Sequence, residues 1–253
     1  MKIPRIIHQI WLGPKSDSSE ESLSLPSVMD TWRHNWSRLN PHWQVWLWGE
    51  IMTNKGLKLA TSRNVLYGGR LCPVVSPLPS QDDFLCRACH ISQRSNIWRY
   101  LVVQQFGGLY VDTDVEPCRP IEEVVIDHAA FAAVRIGSAP LTVVESGFFG
   151  ATANHPWISD VVRSLSLKEP ERSLSMGVEL LTEVTRRHPE VSHLPTEQVV
   201  FDPPTDWAQA RREARVPTCD EGARKYPGAF AVHHWSSLWH KDGFEISSKG
   251  DRR

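Results

Sequence analysis

The sequence has no excess of charge of either sign: 28 lysines and arginines stand against 29 aspartates and glutamates, a formal net charge of −1 over 253 residues. It therefore offers no overall basic field to draw in nucleic acid or an anionic membrane surface. Long apolar runs are missing as well, the longest falling far short of a membrane span. The opening MKIPRIIHQIWLGP enters an apolar stretch without the small-residue cleavage pattern of a secretory leader. A soluble, cytoplasmic protein is the expectation. Cysteine is sparse: Cys72, Cys86, Cys89, Cys118 and Cys219 are odd in number and irregularly spaced, which excludes a secreted disulfide framework. Cys86-x-x-Cys89-His90 has the spacing of half a zinc site, but no second cysteine pair completes it, and small side chains at the start of a helix explain it as well. Internal repeats are absent.

What the chain does have is tryptophan, 11 of them. Most belong in a core or in groove walls, yet an indole also offers a flat face to bases and sugars. The pattern along the chain reads as one α/β domain over residues 1–243 with a loose tail over 244–253. IPRIIHQIWLG (Ile3 to Gly13) is a buried strand, and Val28, Trp32, Trp36 and Leu39 recur at helical spacing until Pro41. HWQVWLWG follows as a second strand. This β-α-β opening predicts a mostly parallel, Rossmann-like sheet flanked by helices. RLCPVVSPLPSQDD, with three prolines, reads as a loop. Leu85 to Phe106 is the best helix in the chain, with Gly107-Gly108 as its left-handed cap. DHAAFAAVRI, VVESGFFGA and AFAVHHW read as strands, and HPWISDVVRSLSL and GVELLTEVTRRH as helices.

The chemistry concentrates in FGGLYVDTDVEP, Phe106 to Pro117. A buried strand gains nothing from carboxylates, since an unpaired buried charge is costly. In an extended chain, residues two apart point the same way, so Asp112 and Asp114 can face one site at the carboxyl end of a strand, where α/β sheets bind ligands. Two hard oxygens suit Mg²⁺ or Mn²⁺, which keep open positions for a diphosphate. A solvated turn is the plain alternative for Asp-x-Asp by itself; the helix, glycine pair and buried strand before it favour function. On the preceding helix Asn96 and Arg99 lie three apart and share a face, from which Arg99 can offer a planar fork of donors to phosphate or sugar oxygens.

QRSNIWRYLVVQQFGGLYVDTDVEP resembles the central signature of glycosyltransferase family 32, whose enzymes carry a DXD sugar-binding region; the large clostridial glucosylating toxins are more distant relatives. IPRIIHQIWLG, GFFGATANHP and HHWSSLW agree in order with other segments of that family. The resemblance implies a single GT-A-like domain and a metal-dependent, retaining transfer of a hexose or N-acetylhexosamine from a UDP- or GDP-sugar. It further implies that Trp11 stacks on the nucleotide base with the backbone around Ile10 at the base's edge. Asp112 would contact the ribose and donor sugar, with Tyr110 beside it among the donor-binding residues, and Asp114 would bind Mn²⁺ or Mg²⁺. Arg99 would hold donor hydroxyls or phosphate. From HHWSSLW, His234 and Ser237 would help ligate the metal and the Trp239 indole would donate to a phosphate. The chain departs from the family at Asn96, where an aspartate usually binds sugar hydroxyls, and at Ser146, where asparagine is frequent.

Strand alternation by itself puts Phe230, Val232 and His234 on one face and His233 on the other, so the two histidines have different surroundings. Two other functions fit Asp-x-Asp after a buried strand. A metal-dependent phosphatase usually has Thr or Val where this chain has Glu116, and a binding module on the same fold would hold a sugar nucleotide or glycan without turnover. The acceptor is open: a glycan, lipid-linked sugar, protein, natural product or modified nucleobase.

Overall fold

The structure is a computed structural model and describes residues 2–12, 25–53, 56–61, 74–76, 85, 91–125, 127–136, 142–168, 175–201 and 220–235. Ser237 and Trp239, every cysteine but Cys118, and the tail 244–253 lie outside the described residues. Among the described residues no helix is long and apolar enough to cross a membrane.

The strands are β1 (Ile6–Ile10), β2 (Gln44–Thr53), β3 (Gly56–Thr61), β4 (Val74–Val75), β5 (Gly108–Val111), β6 (Val115–Pro117), β7 (Ala130–Ile136), β8 (Thr142–Ala151), β9 (Ser192–Leu194), β10 (Val199–Phe201) and β11 (Ala231–His233). The α-helices are α1 (Ser27–Leu39), α2 (Ile91–Phe106), α3 (Glu122–Val125), α4 (Pro156–Ser164), α5 (Val178–Thr185) and α6 (Glu221–Lys225). An eight-stranded sheet runs β4-β3-β2-β1-β5-β8-β7-β9, and a three-stranded sheet runs β10-β11-β6.

The α/β architecture with helices around a large sheet is as expected, but the sheet is mixed rather than mostly parallel. Among the described residues of the large sheet, β1 with β2, β1 with β5 and β7 with β9 pair in parallel, whereas β2-β3, β3-β4, β5-β8 and β7-β8 are antiparallel. The cause is connection length. Residues 54–55 and 137–141 are links far too short for a crossover, so β3 and β8 must return antiparallel beside the strands they follow. Val74–Val75, inside the stretch read as a loop, adds the edge strand β4.

Two apolar layers hold the sheet. On one face Trp48, Tyr110 and Phe149 meet Trp98 and Tyr100 of α2 and Trp157 of α4. On the other, Ile7, Leu109, Val111 and Phe148 meet Trp36 of α1 and Val115 and Ala231 of the small sheet. Each such aromatic removes roughly 150–250 Å² from water, worth several kcal/mol at about 25 cal/mol per Å².

The glycine pair before β5 is required twice over. Gly107 and Gly108 have φ of +64° and +107°, and a Cβ on Gly108 would lie 2.5 Å from the Ile6 carbonyl oxygen. His8 locks this turn: its Nε2 donates to the Gly107 carbonyl at 2.7 Å and its Nδ1 accepts from the Trp48 indole at 3.0 Å. In parallel register Ile7 pairs with Leu109 and His8 with Tyr110, which sets Ile10 level with Asp112.

Candidate functional site

β5 ends at Val111, and the chain reverses at once. Asp112 donates its N–H to the Gly147 carbonyl at 2.9 Å, and its own carbonyl accepts from Val115 at 3.1 Å. The two aspartates are thus brought together by a tight turn rather than by an extended strand. His233 comes from β11, which pairs antiparallel with β6 and sets His233 opposite Val115. Its Nε2 lies 3.0 Å from Asp114 Oδ1 and 3.9 Å from Asp112 Oδ2. The ligand atoms of Asp112, Asp114 and His233 all fall within 4.8 Å of one another, close enough to hold one metal ion.

The chemistry of this donor set fits a divalent ion: two carboxylates and an imidazole, with the imidazole favouring Mn²⁺ over the all-oxygen preference of Mg²⁺. Gly147 supports the fit, because a Cβ there would lie 2.6 Å from Asp112 Oδ2 and 3.3 Å from His233 Cε1. His233 is 5% exposed and its Nδ1 has no hydrogen-bond partner among the described residues. Burial opposes the charged imidazolium, yet the nearby carboxylates, Asp114 first among them, outweigh it and hold the ring above its ordinary pKa.

The structure places the expected residues unevenly. Asp112 is fastened from the side: Tyr110 Oη donates to its Oδ1 at 2.7 Å, and Arg99 Nη2 lies 3.3 Å from the same oxygen. Burial pushes the Tyr110 hydroxyl well above its ordinary pKa, so it remains a donor. Arg99, expected to reach a ligand, is instead spent within the protein. Its Nη1 donates to the Ser146 carbonyl and hydroxyl at 2.7 and 3.2 Å, its Nε to the Ser95 carbonyl and its Nη2 to the Ser95 hydroxyl, both at 3.3 Å. With its guanidinium 4.7 Å above the Tyr110 ring, it braces Asp112.

Asn96 lies one turn earlier on α2 and is 8% exposed. Gly177 crowds it, since a Cβ there would come within 3.0 Å of Asn96 Nδ2. Ile10 is a core residue, 5% exposed. Trp11, expected to stack on a base, is 9% exposed and packs in a small cluster with Met29, Trp32 and Leu47.

His234, expected to ligate the metal, is turned elsewhere. Its Nε2 meets Glu116 Oε2 at 2.8 Å and its ring stacks on Trp32 with centroids 4.9 Å apart and planes at 8°. Only its backbone N–H reaches the site, donating to the Asp114 carbonyl at 3.1 Å. His234 lies two residues past Val232, which pairs with Glu116, so its ring shares the Glu116 face, while His233, opposite Val115, takes the other. The sequence did not offer His233, Gly147 or Glu116 as site residues. The alternation at AFAVHHW separated the two histidines, but nothing local said which face the carboxylates would take.

Comparison with known proteins follows the same motif. Residues 26–132 match the family described as glycosyltransferase sugar-binding region containing DXD motif. Over 165 residues, 65% of this chain, the sequence is 26% identical to inositol phosphoceramide mannosyltransferase 1 of Schizosaccharomyces pombe (strain 972 / ATCC 24843), and the match spans 43% of that protein, less than half its length. Solved structures are similar as well, among them the following two. The PaToxG glycosyltransferase matches with a TM-score of 0.49 and 16% identity over 74% of this chain and 70% of that one. A glycosyltransferase involved in the glycosylation of the major capsid of PBCV-1 matches with a TM-score of 0.46 and 12% identity over 91% and 93%. Residues 26–132 are thus similar to the glycosyltransferase sugar-binding region containing the DXD motif, and Asp112-Thr113-Asp114 is an Asp-x-Asp sequence inside the matched stretch.

Proposed function

We propose that this protein is a metal-dependent glycosyltransferase that moves a hexose or N-acetylhexosamine from a nucleotide diphosphate sugar to an acceptor hydroxyl with retention of anomeric configuration. The observation that carries the reading is the convergence of Asp112, Asp114 and His233 within 4.8 Å at the end of β5, inside the matched sugar-binding region.

In the reaction the bond from the anomeric carbon to the diphosphate oxygen breaks and a bond to the acceptor oxygen forms on the same face of the sugar. The acceptor's proton leaves with the diphosphate. A divalent ion held by Asp112, Asp114 and His233, Mn²⁺ by the donor set, would supply positive charge to the departing diphosphate. Asp114, from the turn before β6, and His233, from β11, would hold that ion, while Asp112, kept in place by Tyr110 and Arg99, would complete the site. Arg99 adds positive charge behind Asp112 without leaving its protein partners. Asn96, one turn before Arg99 on α2, would donate to and accept from sugar hydroxyls. The acceptor is a hydroxyl-bearing glycan or lipid, by analogy with the mannosyltransferase relative.

A thermal-shift panel of UDP- and GDP-sugars with and without Mn²⁺ tests this reading, because a ligand that binds only the folded state raises the melting temperature. Stabilisation by one nucleotide class only when Mn²⁺ is present is the expected result. No response to any sugar nucleotide, with a response to simple phosphate esters, would overturn it in favour of a phosphatase.

A further inference from the structure

We propose that Glu116 is a positioning residue for the candidate metal centre: by gripping His234 it sets the end of β11 so that the neighbouring His233 imidazole reaches Asp114. The inference rests on the reading of Asp112, Asp114 and His233 as the metal-holding set.

Glu116 lies in β6, two residues past Asp114, and is 1% exposed. Its carboxylate accepts three hydrogen bonds. Oε2 accepts from the Gly222 N–H at 2.8 Å and from His234 Nε2 at 2.8 Å, and Oε1 accepts from the Ala223 N–H at 3.1 Å. A carboxylate can only accept, so His234 must carry its proton on Nε2. The far side of that ring is closed by the stacked Trp32 indole of α1. The imidazole of His234 is therefore held on its edge by β6 and on its face by α1, while its main chain is tied to Asp114.

Close approach is built in on the third side. A Cβ at Gly222 would lie 2.7 Å from Glu116 Oε2, 2.8 Å from Val232 Cβ and 3.1 Å from His234 Nε2. Only glycine lets the start of α6 deliver its N–H to this carboxylate. The strand end just beyond is tightly determined too: Trp235 has φ of 51°, a conformation rare for a bulky residue, and lays its indole on the His233 ring with centroids 4.6 Å apart. Such conformations persist where their surroundings over-determine them.

An apolar side chain of similar volume at position 116 would hold β6 against β11 with a smaller desolvation cost. It could not seize His234 by a ring nitrogen. That grip fixes the direction of the chain at 233–235, and a histidine that is to meet two carboxylates needs its backbone placed to a fraction of an ångström.

The test is Glu116→Gln, which keeps the shape but replaces one acceptor oxygen with a donor, so that Gly222, Ala223 and His234 can no longer all be satisfied. Mn²⁺ affinity of the full chain is measured by electron paramagnetic resonance titration below the melting temperature, with circular dichroism confirming the fold. A weakening of about 10–100-fold is expected, the usual effect of losing a residue that orients a ligand. Gly222→Ala, which drives α6 off the same carboxylate, is expected to weaken binding in the same direction and decides the matter should Glu116→Gln not fold. Glu122→Gln serves as the control for a purely structural loss: it breaks contacts with Arg5 and Trp43 on the opposite flank and is expected to leave Mn²⁺ affinity unchanged. With no metal present, the ¹⁵N resonances of the His233 imidazole are expected to move in both variants of the grip and not in the control. Unchanged Mn²⁺ affinity and unchanged His233 resonances in a folded variant overturn the proposal. If the unsubstituted chain binds no Mn²⁺, the metal-centre reading fails instead, and the metal-free resonances alone judge Glu116.

Discussion

His8 and His233 are both buried histidines, set against the two ends of the same strand, β5. At the entrance His8 has both ring nitrogens answered, Nε2 by the Gly107 carbonyl and Nδ1 by the Trp48 indole N–H. A proton added to Nδ1 would face another donor, and burial drives the pKa of this ring down to about 4, with the Gly107 bond opposing only in part. At the exit His233 meets carboxylates, and its pKa moves the other way. Equal burial has produced opposite behaviour. What separates these two histidines is the charge of their company, and that company is set by which end of the strand the chain delivers.

The comparison breaks first at Asp114. Asp114→Ala is expected to abolish Mn²⁺-dependent binding of a sugar nucleotide, beyond the roughly 10–100-fold that follows loss of a supporting residue, while circular dichroism stays native. Retained metal-dependent binding would remove His233 and Asp114 from the site together.

The other end breaks with acid. Because the folded pKa of His8 lies below its ordinary 6.5, the unfolded chain takes up more protons between those values. The stabilisation is complete above pH 6.5 and is lost as the pH falls toward 4, by about 3 kcal/mol for a shift of this size. Urea unfolding of the protein and of His8→Gln at a series of pH values checks this: the difference in slope over that window belongs to His8. Parallel slopes would show that His8 titrates as it does in water.

Trp11→Ala sharpens the contrast between packing and binding at the end of β1. If the indole leaves its cluster with Met29, Trp32 and Leu47 to meet a base, nucleotide affinity falls by about 1–3 kcal/mol, the range for one stacked base. A calorimetric titration with the free nucleoside diphosphate would read it. Loss of stability with unchanged affinity would mark Trp11 as core alone.

The smallest effect is expected at a third histidine. His188 also sits between carboxylates, Asp160 at 2.8 Å and Glu190 at 2.7 Å, but they face opposite ring nitrogens at the protein surface. They cannot share an ion with it. His188→Gln should cost no more than about 1 kcal/mol of stability at pH 6 and leave Mn²⁺ affinity untouched. Burial lowers the pKa of this ring, and the two carboxylates more than offset it, so the small contribution fades as pH rises through the raised value.

The sequence announced α2, the glycine pair, β5 and the two aspartates because each signal is local: helical spacing, a left-handed cap and the abrupt end of an apolar run. It misjudged what depends on partners far along the chain. Which of His233 and His234 shares the Glu116 face is decided by antiparallel pairing between residues more than a hundred positions apart, which alternation by itself cannot assign. β6 escaped notice because Val115-Glu116-Pro117 is short and carries a charge and a proline, the opposite of a strand signature. Arg99 looked like a ligand arm because helical spacing gives a face but not the Ser95 and Ser146 oxygens that claim its donors.

The turn at Thr113 has one more consequence. Asp112 closes a strand of the eight-stranded sheet, and Asp114 opens into a strand of the three-stranded one. The motif is therefore a joint between two separately bonded bodies. Anything that grips both carboxylates acts as a rivet through that joint, so the amides of 108–111 and of 115–116 should slow their exchange with solvent together, as one mechanical event, when the site is filled.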